Sequence, residues 1–433
     1  MIALIWIAYD LAMELVVLSV LGPYERFRTI AGRSRLHLLD ERLGRSRSSI
    51  NGEPGRILIH AVSVGEMAAA KALVGALFEL EPNRNILITC GNHEGWQMAE
   101  SVFRDDRRVE VLGFLPWDRR RVLRSWLEGL QLAAVVVVET EIWPGLFRSA
   151  NELGLPIFIV NGRVVPGDVA RYRLARRFFT YVFGRARWIA VQNQEEARRF
   201  IEIGAPSDRI EVMGNLKADG PIPDLCLPDS WETLFNTIGH PIIVAGSTHA
   251  QEHDWMLWAY KELLPEHPGL RLIIAPRHPK RARDVAALAG AAGLEVRLWS
   301  GGASGDWQVL VVDEIGLLAR LYGRAEVAVV GGSLVPRGGH NPLEPCRLGV
   351  ATVIGPHCWT YEQLVQGLVE AGGAVLLPRA EPPKQALLHA LRSLLADEQR
   401  RKLMGAAAAS YCREQRGSAR QTAQRLLAEI DRR

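Results

Sequence analysis

The chain has 433 residues, 48% of them apolar, and 52 Lys and Arg against 48 Asp and Glu give a formal net charge of +4. That length exceeds what one core usually supports and points to two domains, while so small a net charge argues against a dedicated nucleic-acid binder. The five cysteines (Cys90, Cys226, Cys346, Cys358, Cys412) show no C-x-x-C spacing. They indicate neither a zinc site nor a disulfide framework, and they read as reduced thiols in a cytoplasmic compartment.

Residues 2–22 are mostly apolar, interrupted by Asp10 and Glu14 at helical i, i+4 spacing. No Lys or Arg precedes the run and no A-x-A-like site follows it, so a secretory signal is not expected. Arg26, Arg28, Arg33, Arg35, Arg42, Arg45 and Arg47 come next. A basic segment after an apolar helix favours a cytoplasmic location for the bulk of the chain. Each acid at a bilayer centre would cost roughly 2.5–3.5 kcal/mol. A helix lying in the interface therefore competes with a true span, and a helix packed on the protein's own core is the alternative to both.

From residue 51 onward strands and helices alternate. Apolar runs at Arg56–His60, Asn85–Thr89, Val109–Leu112, Ala133–Val138, Ile157–Val160 and Trp188–Gln192 form one series. The pattern is that of a doubly wound parallel sheet. His60-Ala-Val-Ser63-Val-Gly65-Glu66 ends the first run, with a helix expected to open at Met67. Glu66 in the first helical turn can act as a general base toward a sugar hydroxyl, or can simply be a helix-terminal charge favoured by the macrodipole. His60 with Ser63 makes a weak case for a serine hydrolase, since the G-x-S-x-G elbow is absent. Glu139-Thr-Glu141-Ile-Trp-Pro144 ends the fourth run. If the strand continues, both carboxylates project to one side, as a metal clamp or, on the preferred reading, as metal-free polar groups. Gly214-Asn-Leu-Lys217-Ala-Asp219 closes the series, and Lys217 is either an anion-neutralising group or an ordinary surface lysine.

Prolines between Pro221 and Pro228 disfavour both helix and central strand and mark a hinge. The expected domains are 1–50, a membrane-associated helix and basic segment; 51–220; and 221–433 with C-terminal helices. The second strand series comprises Ile242–Ala245, Leu270–Ile274, Glu295–Leu298, Val309–Val312, Val327–Val330 and Thr352–Ile354. Two Rossmann-like domains facing a central cleft make the GT-B arrangement, with ligands at the carboxyl ends of the strands. Gly246-Ser247-Thr-His249 and Ala275-Pro276-Arg277-His278 follow strands of this half and suit a diphosphate or nucleoside monophosphate. After Val327–Val330 comes Gly331-Gly-Ser-Leu-Val-Pro-Arg-Gly-Gly-His340-Asn341-Pro342-Leu343-Glu344-Pro345. Paired glycines admit a close ligand, helix-terminal N–H groups suit phosphate, and Glu344 suits a ribose diol. Together they suggest a nucleotide-sugar site, against a mere turn-rich connection.

HAVSVGE, ETEIWP, GNLKAD, AGSTH, APRHP and GGSLVPRGGHNPLEP, in that order, resemble the 3-deoxy-D-manno-octulosonic acid (Kdo) transferases, from the amino-terminal helix to about residue 380. The resemblance implies transfer of Kdo from CMP-Kdo to the lipid A precursor (lipid IVA) in lipopolysaccharide biosynthesis. Inversion, no metal or other cofactor, and attachment to the cytoplasmic side of the cell inner membrane are implied as well. It makes Glu66 the catalytic base and Glu139 and Lys217 supports of the transition state. The implied nucleotide-binding residues are Ser247, Pro276, Arg277, Ile315, Gly316, Leu317, Asn341, Pro342, Leu343 and Glu344. Two segments depart from the family. Asp313-Glu-Ile-Gly316-Leu-Leu318 lacks the acidic residue after the glycine, so contacts at Ile315–Leu317 should be mainly backbone. Thr89-Cys-Gly-Asn-His93-Glu-Gly95 replaces a threonine-rich strand end, which bears on acceptor preference and on the number of Kdo units. A different GT-B transferase and a non-catalytic nucleotide-sugar binder are the other readings.

Overall fold

Runs of Val, Ile and Leu with no polar interruption fit strands covered on both faces, and they form two seven-stranded parallel sheets. The computed structural model describes residues 2–30, 38–45, 54–220, 225–238, 240–303 and 305–432. Arg33, Arg35, Arg47 and the first half of the proline hinge, 221–224, lie outside them. Two compact units are present, residues 1–221 with 415–433, and residues 222–414.

The first unit contains β1 (Arg56–His60), β2 (Ile86–Cys90), β3 (Val109–Phe114), β4 (Leu132–Val138), β5 (Ile157–Gly162), β6 (Ala186–Val191) and β7 (Ile210–Val212). Their order, β3-β2-β1-β4-β5-β6-β7, reverses direction between β1 and β4. β1 and β4 pair with His60 opposite Val137, so the segments that leave their carboxyl ends start side by side. Such a switch point opens a crevice at the strand ends.

The second unit repeats the plan with β8 (Ile242–Thr248), β9 (Arg271–Pro276), β10 (Val296–Leu298), β11 (Val309–Val311), β12 (Val327–Val330), β13 (Ala351–Ile354) and β14 (Ala374–Leu376). The order β10-β11-β9-β8-β12-β13-β14 puts its switch point between β8 and β12, where Gly246 pairs with Val330.

The expected run of 221–433 as one domain needs correction at its end. The helix Ser418–Asp431 buries Ala419, Ala423, Leu426, Leu427 and Ile430 in the core of the first unit, with Met67, Leu73 and Leu77 of the helix Val64–Leu80. Burial of each Leu or Ile there contributes roughly 1.5–3 kcal/mol. Asp219 fixes the start of that helix by accepting from Gly417 N and Ala419 N, both at 2.6 Å.

At the amino terminus, Ile2–Val16, a π-turn over Val17–Leu21 and Gly22–Ile30 run on as one helix. Ile5–Phe27 is long and apolar enough to cross a membrane, the one such helix among the described residues. Its acids, however, face the first unit. Glu14 pairs with Arg119 at 2.6 Å, and Asp10 pairs with Arg148 at 3.2 Å and Arg120 at 3.4 Å. Tyr9 donates to Asp118, and Trp6 is buried against Phe178 and Tyr181. Leu11, Leu15 and Leu18 on the other side are 66–68% exposed. Of the basic segment that follows, Arg42 turns inward and donates to Gly91 O and Leu115 O.

Candidate active site

The helix Val64–Leu80 begins three residues before the expected Met67, because Ser63 caps it: its Oγ accepts from Glu66 N at 3.3 Å. Glu66 answers reciprocally. Its Oε2 accepts from Val62 N at 2.6 Å and its Oε1 from Ser63 Oγ at 3.0 Å, so the carboxylate and the capping serine hold each other. The carboxylate is thus held in one rotamer at the carboxyl end of β1. Burial, then the nearby Glu139 charge, push its pKa up to about 7. A carboxyl group so tuned matches the work of a general base near neutral pH.

Glu139 ends β4 with φ +60°, a conformation that L side chains rarely adopt. The strand therefore stops there, and the alternation rule does not carry to residue 141. Glu141 instead accepts from the Trp143 indole at 2.9 Å, although its charge still reaches Glu66. Lys217 Nζ pairs with Glu139 Oε1 at 2.6 Å, both side chains mostly covered. A Cβ placed on Gly65 would lie 3.6 Å from that ammonium. Glu66, Glu139 and Lys217 are therefore neighbours around the β1/β4 switch point. Lys217 is no surface residue.

Asn161 belongs to this cluster and carried no sequence expectation. It sits in β5 at φ +55°, donates Nδ2 to Glu139 Oε1 at 3.3 Å and accepts from Leu216 N at 2.9 Å. It joins the strand end to the Lys217 segment. An Asn-Gly pair closing a strand is the signal that could have marked it. His60 is wholly buried, bonded through Nδ1 to Thr89 Oγ1 at 3.0 Å, with a pKa pushed down to about 3, first by burial and then by Arg42. It is a core histidine, and no Ser–His pair exists there. The departing Thr89–Gly95 segment packs on Val62: a Cβ on Gly91 would meet Val62 Cγ1 at 2.3 Å, and one on Gly95 would meet Val62 O at 2.4 Å.

In the second unit, Ser247, Pro276–Arg277 and the glycine loop gather at the ends of β8, β9 and β12. Thr248 pairs with Pro276, and Arg277 N donates to Thr248 O at 2.9 Å. Ser247 has φ +55°. His249 and His340 stack with ring centroids 5.3 Å apart and share an Nε2···Nε2 contact of 3.0 Å. One ring must donate and the other accept. Burial, then Arg277, pull His340 down to about 4, and His249 is lowered by burial and by Arg337. Both shifts favour the neutral rings, and Arg277 and Arg337 are among the cations that act on them. Burial raises the Glu344 carboxyl, which Arg347 and the Asn341 side chain oppose. Asn341 Oδ1 accepts from Leu343 N at 3.1 Å, and Pro342 leads into the short helix Leu343–Arg347. The helix Leu318–Tyr322 packs on Gly246, where a Cβ would meet Tyr322 Oη at 2.0 Å. That brings Ile315–Leu317 to the same strand ends, with Ile315 exposed, Gly316 at φ +92° and Leu317 in the core.

The paired glycines also make close approaches within the protein itself. A Cβ on Gly331 would lie 2.4 Å from Ser247 O, and one on Gly332 2.9 Å from His340 Cδ2. They allow close approach to the protein's own β8 end and histidine. The loop amides are largely occupied as well: Gly331 N bonds Gly246 O, Gly339 N bonds Gly332 O and His340 N bonds Gly331 O, at 2.8–3.1 Å. Gly332 N and Leu334 N bond Glu252, which no sequence expectation included. Its signal was the capping-box spacing His249-x-x-Glu252.

Two seven-stranded parallel sheets, each with its own switch point, define the class of fold. UDP-GlcNAc 2-epimerase from Neisseria meningitidis, solved with UDP-GlcNAc bound, shares it with TM-score 0.58 at 12% identity, over 87% of this chain and 100% of that one. This is the GT-B fold. A family model, 3-deoxy-D-manno-octulosonic-acid transferase, matches residues 37–220. The 3-deoxy-D-manno-octulosonic acid transferase of Haemophilus influenzae is 31% identical over 95% of this chain and 92% of its own. That of Bordetella pertussis is 30% identical over 84% of this chain and 85% of its own. The chain belongs to the Kdo transferase family and is a glycosyltransferase.

Proposed function

We propose that this chain transfers Kdo from CMP-Kdo to the hydroxyl of a glucosamine on the lipid A precursor (lipid IVA), at the cytoplasmic side of the inner membrane. The observation that carries the reading is Glu66, held by two hydrogen bonds beside the Glu139–Lys217 pair with a pKa near 7. Ionised Glu66 takes the proton of the acceptor hydroxyl. The oxygen attacks the anomeric carbon of Kdo from the face opposite the phosphate. As that bond forms, the bond from carbon to the phosphate oxygen breaks, and its electron pair leaves with CMP. One displacement inverts the anomeric centre. Glu66 then returns its proton to water.

Lys217 supplies the positive charge near the reacting centre, and Glu139 keeps it oriented. Arg277 and Arg337 meet the anionic donor, and Asn341 and Glu344 suit the nucleoside. Glu139 is engaged by Lys217 and Glu141 by Trp143, which supports a reaction without a metal clamp. The amino-terminal helix, with its acids turned to the protein and Leu11, Leu15 and Leu18 outward, supports lying in the membrane interface beside a lipid acceptor.

The test is transfer from CMP-Kdo generated in situ to a tetraacylated lipid A precursor in detergent with EDTA present, read by mass. Increments of Kdo are the expected product and their number counts the sugars added. Absence of product while CMP still binds would remove this acceptor, and absence of CMP binding would remove the donor.

A further inference from the structure

Glu252 is wholly buried in the first turn of the helix Ala250–Leu263. Its Oε2 accepts from His249 N and Gly332 N, both at 2.8 Å, and its Oε1 accepts from Leu334 N at 3.0 Å. Val335 adds a further backbone bond, so amides rather than a cation balance this carboxylate. A buried negative charge behind the glycine loop is expensive in isolation. Four converging N–H donors offset it, and they come from two segments far apart in sequence.

The glycine loop is gripped between two supports. On one side Glu252 holds the amides of Gly332 and Leu334. On the other, Gly332 at φ +66° leaves room for His340, which reaches His249 at 3.0 Å. Asn341–Glu344 follow directly, so their place depends on where the loop is pinned.

We propose that Glu252 is the positioning residue of the donor site, fixing loop 331–335 to the start of the helix after β8 and thereby setting His340 and Asn341–Glu344. This rests on the donor reading above. Glu252 touches no substrate itself. In E252Q an NH2 group replaces one oxygen and faces a backbone donor, so one side of the grip opens. The KM for CMP-Kdo and the Kd for CMP should rise about 10–100-fold, with kcat reduced less than about 10-fold. The KM for the lipid acceptor should stay unchanged.

Amide hydrogen exchange in the free protein gives a second readout. Peptides covering 331–340 should exchange at least about tenfold faster in E252Q, while β8 and β12 keep their protection. E252D, with both oxygens on a shorter arm, should fall between. Unchanged CMP affinity with unchanged exchange in E252Q would overturn the proposal. If the unaltered protein binds no CMP, the donor reading fails, yet exchange in the free protein still judges Glu252. Should neither variant fold, the residue serves global stability and the positioning role is overturned.

Discussion

Glu66 joins two demands that usually conflict. As the third residue of a capped helix it stabilises that end, yet burial and the Glu139 charge make its ionised form costly. Its folded pKa of about 7 lies above that of an unfolded chain, so its contribution to stability is complete at low pH and is lost as pH rises through 7. E66Q, which can still cap, should therefore melt higher than the unaltered protein at pH 8, by about 1–3 kcal/mol, with the gap shrinking toward pH 5. The same substitution should lower transfer by at least about a thousandfold while leaving CMP affinity within a few-fold. Transfer by the unaltered enzyme should fall as pH drops through about 7, as the base takes up its proton; a rate flat from pH 5.5 to 8 would remove Glu66 from that role. Lys217 and Glu139 are tested as a pair. K217M strands a mostly buried carboxylate and should cost about 2–4 kcal/mol, part of which the double variant K217M/E139Q should restore in thermal melts.

At the scale of elements, eleven of the fourteen strands among the described residues have sequence-read limits within one residue at the amino end, because most of these apolar runs are buried on both faces. The two that went unread, Ile210–Val212 and Ala374–Leu376, are three-residue edge strands, partly exposed, with too few residues for any periodicity. Spacing alone left the amino-terminal helix between a span, an interfacial helix and a core helix. Asp10 and Glu14 could be seen as one stripe, but Arg119, Arg120 and Arg148, which meet them, lie more than a hundred residues away. The triple substitution L11E/L15E/L18E should move the protein from the membrane pellet to the supernatant and leave the melting of the first unit unchanged, since these side chains are exposed. D219A removes the acceptor for Gly417 and Ala419 and should cost about 1–2 kcal/mol in thermal melts.

For the whole molecule, each unit has its own core and its own switch point, and the sequence crosses from one to the other near 221 and returns near 415. The proposed donor residues all fall in 222–414, and the proposed base with its partners in 54–220. Saturating CMP, at about a hundred times its Kd, should stabilise by roughly 2.7 kcal/mol. In hydrogen exchange that protection should concentrate in 222–414, with the sheet of the first unit little changed. Protection spread equally over both sheets would contradict this division of labour.

The two parallel sheets, the order of the motifs, and Glu66, Glu139 and Lys217 as residues of interest were all legible in the chain alone. Strand periodicity and motif spacing are local properties, readable from neighbours in the chain. Folding was needed to show that Lys217 meets Glu139, that Asn161 joins them, and that Glu252 holds the glycine loop. It also decided that the loop's glycines serve Ser247 and His340, and that residues 415–433 fold back onto the first unit. Each of these joins groups remote in sequence, whose meeting is fixed by strand order and by burial of apolar faces rather than by any preference of the residues themselves.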